Sequence, residues 1–99
     1  MRAGCLATTA VTIFELWRSL ESDVDRDVAR RAIRGVRVYP LTEVAARRAA
    51  ELQQGLKQIP IGERDVLIAG VCLAVGLPLL TANVRHFKHV SGLDVVQAR

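Results

Sequence analysis

Three polar side chains sit where their surroundings raise a question of chemistry: Glu15, Asp65 and Asn83. Glu15 is the one carboxylate within Val11-Thr12-Ile13-Phe14-Glu15-Leu16-Trp17, and its near neighbours on a helix, Thr12 apart, are apolar. A charge in such company costs free energy unless it is paired or holds a metal, so either an ion pair with Arg18 or a ligand role accounts for it. Asp65 falls in the first turn of an apolar helix that starts near Glu63, where an acid also complements the helix dipole without any further role. Asn83 follows the apolar run Leu79-Leu80-Thr81 and can act as an ordinary N-cap. Carboxylates converging with an amide or hydroxyl make a hard, oxygen-rich site, suited to Mg²⁺ or Mn²⁺ and not to zinc.

Such convergence needs elements that carry all three to one edge. The chain reads as a short strand at Cys5-Leu6-Ala7, with Thr8-Thr9 able to cap a helix that runs to about Glu21. A second helix starts at Asp23, with acids ahead of Arg30, Arg31 and Arg34, and stops at Gly35. Val36, Val38 and Tyr39 form a short strand ended by Pro40. Thr42 caps a helix to about Leu56, Gln58 to Gly62 is a connection, and residues 63–75 form a helix apolar enough to be buried on most sides, closed by Gly76. Pro78 to Thr81 is a strand, Asn83 caps a helical turn over residues 84–89, and residues 93–96 form the last strand. Strands alternating with helices imply an α/β sandwich with a mostly parallel sheet, because parallel neighbours need a helical crossover. Sites in such sheets collect at the carboxyl ends of the strands, here around Thr8-Thr9, Pro40 and Thr81-Ala82-Asn83.

The 99 residues suffice for one domain, 1–99, with little margin for losing an element. Lys and Arg number 14 against 10 Asp and Glu, and this net charge of +4 favours a polyanionic partner such as nucleic acid or an acidic peptide. Arginine supplies nearly all of it, in a geometry suited to phosphate. Cys5 and Cys72 lack the spacing of a zinc or redox motif and read as buried free thiols. No apolar stretch approaches the roughly 18 to 20 residues of a membrane span, and a cytoplasmic location with no membrane partner is expected.

The run Asp65…Leu67-Ile68-Ala69…Gly76-Leu77-Pro78-Leu79-Leu80-Thr81-Ala82-Asn83…His86-Phe87…Val90…Gly92-Leu93…Val95 resembles the C-terminal half of PIN-domain ribonucleases, including VapC-like toxins of toxin–antitoxin systems. The run Thr8-Thr9-Ala10-Val11-Thr12-Ile13-Phe14-Glu15-Leu16 resembles their second acidic motif. The resemblance implies a PIN-like three-layer sandwich and metal-dependent hydrolysis of RNA. Glu15 and Asp65 would be two of the metal-coordinating acids, and Asn83 would fall where a fourth acidic or amide residue sits. Thr81 would orient the site or contact phosphate. By their charge, Arg47, Arg48, Arg64, Arg85 and Lys88 are candidates for phosphate contacts, where a merely solvated role is the ordinary one. His86 stands where the family often has an aspartate and reads as a surface histidine beside Phe87. Asp94 matches no ligand and reads as a solvated strand residue. The implied cofactor is Mg²⁺ (or Mn²⁺), and the implied partners are RNA, an antitoxin protein and a second copy of the chain.

PIN proteins open on an apolar strand that ends in an aspartate, whereas here Met1-Arg2-Ala3-Gly4 leads straight into the next strand. The expectation is therefore a PIN-like domain whose first, central strand is absent, and which is inactive or weak in this form. Each unpaired backbone group on a buried strand edge costs about 1 to 3 kcal/mol, large against a total stability of roughly 5 to 15. Agreement among all later elements favours a start placed too far downstream over decay of the sequence or strand addition by another chain. The alternative is a non-catalytic module that binds an antitoxin peptide or another PIN chain, with Phe14, Trp17 and Leu20 forming an apolar groove.

Overall fold

The computed structural model describes residues 7–56, 61–81 and 84–97. The chain divides into two compact units, Met1–Pro40 and Leu41–Arg99.

In the first unit, β1 (Ala7–Thr9) pairs in parallel with β2 (Arg37–Tyr39), Thr8 opposite Val38. Between them lie α1 (Ala10–Arg18) and α2 (Asp23–Ala32), which form the helical connection that a parallel pair requires. The strand includes the threonines expected to follow it, and Cys5 and Leu6 lie outside the described residues. Thr9 ends β1 and caps α1 at once: its Oγ1 accepts from the Thr12 N–H at 3.0 Å, and the two hydroxyls also meet at 3.0 Å. The residue is buried, with 6% of its surface exposed, so the cap is sheltered from water. Thr9→Ala is expected to cost about 1 to 2 kcal/mol, at the upper end for a lost N-cap, and urea denaturation followed by circular dichroism measures it.

Helix α1 stops at Arg18, one turn before its apolar spacing runs out. The Ser19 hydroxyl donates to the Leu16 carbonyl at 2.7 Å, and the Leu20 N–H to the Trp17 carbonyl at 3.1 Å, which tightens and closes the last turn. Ser22 then caps α2 by accepting from the Asp25 N–H at 3.0 Å. The acids of α2 pair with the arginines that follow, Asp23 with Arg26 at 3.1 Å and Asp27 with Arg31 at 2.7 Å. Gly35 supplies the stop at φ 84°.

In the second unit, α3 (Glu43–Gly55) packs on α4 (Glu63–Val75), followed by β3 (Leu79–Thr81), the single turn α5 (Val84–Phe87) and β4 (Val95–Gln97). Thr42 caps α3 as expected, its Oγ1 accepting from the Ala45 N–H at 3.1 Å. The α4 helix is buried at Val66, Ile68, Ala69, Gly70, Val71 and Cys72, which is why nearly every position from Val66 onward is apolar. Gly76 ends it at φ 71°, and the Leu77 N–H donates to the Cys72 carbonyl at 3.0 Å. Strands β3 and β4 pair in parallel, Leu79 opposite Val95. The last strand starts two residues later than expected, and the Asp94 carbonyl just before it accepts from the Leu79 N–H at 2.8 Å. Asp94 itself is exposed, as expected.

The core of this unit gathers Ala69, Phe87 and Val90 beneath Leu52, Leu56, Ile61, Leu73, Leu79, Leu93 and Val95. Cys72 is a buried free thiol, and burial pushes its pKa up. All strand pairing among the described residues is parallel, and the α/β class expected from the alternation is observed.

Candidate active site

Glu15 sits in the second turn of α1, half-buried between two more open apolar neighbours, Phe14 at 56% and Leu16 at 37% exposure. The apolar surroundings inferred from the sequence thus enclose it less than expected. Arg18 places its guanidinium 5.8 Å from the centre of the Phe14 ring, a cation–π contact along the same helix.

Asp65 is the third residue of α4, after the cap Gly62 and within the first turn, where the exposed N–H groups favour a carboxylate. Gly62 offers no side-chain cap, and a methyl group there would lie 3.8 Å from Asp65 Oδ2. The carboxylate therefore folds back over the start of the helix. Its Oδ2 also lies 3.3 Å from His86 Nδ1, with 32% of the Asp65 side chain and 51% of the His86 side chain exposed. His86 is a surface residue, as expected, but its proximity to Asp65 was not legible in the sequence. The two are 21 residues apart, and packing brings them together. Asp65 lies one helical turn before Ala69, His86 precedes Phe87, and Ala69 and Phe87 share the buried cluster.

Thr81 is the half-buried last residue of β3. Asn83 lies outside the described residues. Arg64, Arg85 and Lys88 are exposed. Arg47 and Arg48 make ion pairs along α3, with Glu43 and with Glu51 at 3.7 Å respectively. These pairs are exposed and weak.

Among the described residues, no three His, Cys, Asp or Glu side chains form a cluster able to hold a metal ion. In type, however, the donors suit a hard divalent cation, which one or two carboxylates hold while water completes its shell. The accessible Asp65 carboxylate fits that description, whereas the His86 nitrogen beside it is a softer donor.

A helix-rich α/β fold with parallel strands and acids on α1 and α4 defines a class, and the sequence pattern of the PIN domain matches residues 1–93. The chain belongs to the PIN domain family. It is 37% identical over 86 residues to Ribonuclease VapC10 of Mycobacterium tuberculosis, a match covering 85% of this chain and 64% of that relative's length. Among solved structures, DNA-bound VapBC from Salmonella typhimurium superposes with a TM-score of 0.84 at 25% identity, covering 92% of this chain and 74% of that one. VapBC-5 from Mycobacterium tuberculosis, a member of the VapBC family of toxin-antitoxin systems, superposes with a TM-score of 0.77 at 22% identity, covering 93% and 81%.

Proposed function

We propose that this chain is a divalent-metal-dependent endoribonuclease and the toxin of a toxin–antitoxin pair, acting in the cytoplasm. The observation that carries the reading is the 37% identity to a ribonuclease across 85% of the chain. Glu15 and Asp65 are the metal-binding acids in this reading, and Asn83 lends an amide oxygen. Mg²⁺ or Mn²⁺ held by these residues would activate the attacking water and offset the charge of the phosphate oxygens. Thr81, Arg64 and Arg85 contact the RNA phosphates, and the net charge of +4 draws the RNA in.

The partner is an antitoxin protein, in keeping with the VapBC structures the fold resembles, and a second copy of the chain can complete a homodimer. A second reading is favoured by the exposure of Phe14 and Leu16 on α1: a module that only binds an antitoxin peptide or another PIN chain. Trp17 and Leu20, of the expected groove, are half-buried.

Incubation with single-stranded RNA separates the two readings. Cleavage that EDTA abolishes and Mg²⁺ or Mn²⁺ restores is the expected result. Cleavage indifferent to EDTA, or complex formation without cleavage at any divalent concentration, overturns the ribonuclease reading.

A further inference from the structure

We propose that Asp65 Oδ2 and His86 Nδ1 together form a cation subsite whose imidazole ligand makes it favour a first-row transition metal such as Co²⁺, Ni²⁺ or Zn²⁺ over Mg²⁺. The inference rests on the reading of Asp65 as a metal-binding acid and goes beyond it, because it assigns His86 the role of selecting the ion.

The geometry is that of a two-atom chelate. The donor atoms are 3.3 Å apart, and with metal–ligand bonds of about 2.0 to 2.2 Å that separation subtends an angle of roughly 100° at a shared ion. This lies between the adjacent-ligand angle of an octahedron and that of a tetrahedron. Both shapes are thus reachable with small side-chain shifts. As a hydrogen bond, by contrast, 3.3 Å is long, beyond the usual range of about 2.7 to 3.2 Å for N–H···O. The pair holds its positions loosely by itself and takes its placement from the backbone beneath.

That backbone is anchored. Ala69, one turn after Asp65, is 0% exposed, and Phe87, next to His86, is 3% exposed in the same cluster. The two donors come from different elements, α4 and α5, which the core fixes against each other. Meanwhile 32% of one side chain and 51% of the other remain open, so a hydrated cation can reach both and keep water on its remaining positions.

The ligand chemistry sets the preference. Carboxylate and water suit Mg²⁺, a hard ion that sheds its water reluctantly. A neutral imidazole nitrogen adds little for Mg²⁺ but strengthens binding of Co²⁺, Ni²⁺ and Zn²⁺. Asn in place of His86 tests this cleanly, since its Oδ1 occupies the same position on Cγ as Nδ1 and replaces nitrogen by oxygen at an exposed site.

The test is calorimetric titration of the 99-residue chain with Co²⁺ alone and Mg²⁺ alone, with NMR of the histidine rings. His86→Asn is expected to weaken Co²⁺ about tenfold or more while leaving Mg²⁺ within about twofold, on the scale by which groups around metal sites alter affinity. Co²⁺ should perturb the His86 ring in the wild type, and His89→Gln should change neither affinity. If His86→Asn leaves the Co²⁺ to Mg²⁺ ratio unchanged while Asp65→Asn weakens both metals, the selectivity role fails and the metal-binding role of Asp65 stands. If Asp65→Asn leaves both affinities intact, or neither metal binds, the reading of Asp65 fails and the inference falls with it.

Discussion

Glu15→Gln and Asp65→Asn are each expected to lower the rate of Mg²⁺-dependent RNA cleavage by a factor on the order of 100 or more, the scale seen when one electrostatic contact to a reacting centre is removed. Such a factor corresponds to about 2.7 kcal/mol of barrier. Both changes keep size and shape and remove only the charge. The structural cost should therefore be small: Asp65→Asn gives up a helix-dipole interaction of about 0.3 to 1 kcal/mol, and Glu15 is only half-buried. Initial rates with saturating Mg²⁺, beside thermal melts of the same samples, separate the two effects. A folded variant with undiminished cleavage refutes its residue's assignment.

Gly70→Ala is expected to destabilise the second unit through the α3–α4 contact. A methyl group at Gly70 would lie 2.5 Å from the Ala45 carbonyl oxygen, 2.9 Å from Ala49 Cβ and 3.1 Å from the Ala49 nitrogen. Two of these are backbone atoms, so no side-chain rotation relieves the overlap and the helices must separate. Ala45 and Ala49 are each 1% exposed, which shows how close the approach is. Overpacking of this kind costs about 1 to 3 kcal/mol or more, and the helix propensity gained by replacing glycine returns only about 1. A net loss of about 2 kcal/mol would lower Tm by roughly 8 to 16 °C in a domain of this size. Gly55→Ala is the control, since a methyl group there meets nothing within 4 Å. The same substitution in α3 should leave Tm unchanged or raise it slightly. Equal shifts at the two positions would contradict the packing argument.

The elements most legible in the sequence are those specified several times over. For α4, an unbroken apolar stretch, acids in the first turn and Gly76 beyond the last all indicate the same helix, and the structure ends it there. For α3, the Thr42 cap and the alanines at Ala45 and Ala49 agree likewise. The strands were found but displaced at their ends, because three residues are too few for an alternating pattern to fix where pairing begins. The end of α1 was overshot because apolar spacing continues to Leu20 while Ser19 closes the backbone first. Of the site, the positions of Glu15 and Asp65 within their helices were legible from motif and context. The approach of His86 to Asp65 was not, since it depends on how Phe87 packs against Ala69. The ion pairs of Arg47 and Arg48 follow from i,i+4 and i,i+3 spacing and could have been read directly.

The ends of the cleaved strands are the most direct test of metal-dependent hydrolysis of RNA by water. Attack by water leaves a linear phosphate on one product, heavier by one water than the cyclic form, and works equally on a strand whose 2′-hydroxyls are methylated. Attack by the RNA's own 2′-hydroxyl leaves a 2′,3′-cyclic phosphate and fails on that strand. Mass spectrometry of the products is expected to show linear phosphate only, formed with Mg²⁺ or Mn²⁺ and absent with EDTA. Cyclic phosphate ends, formed as readily in EDTA, would contradict the account.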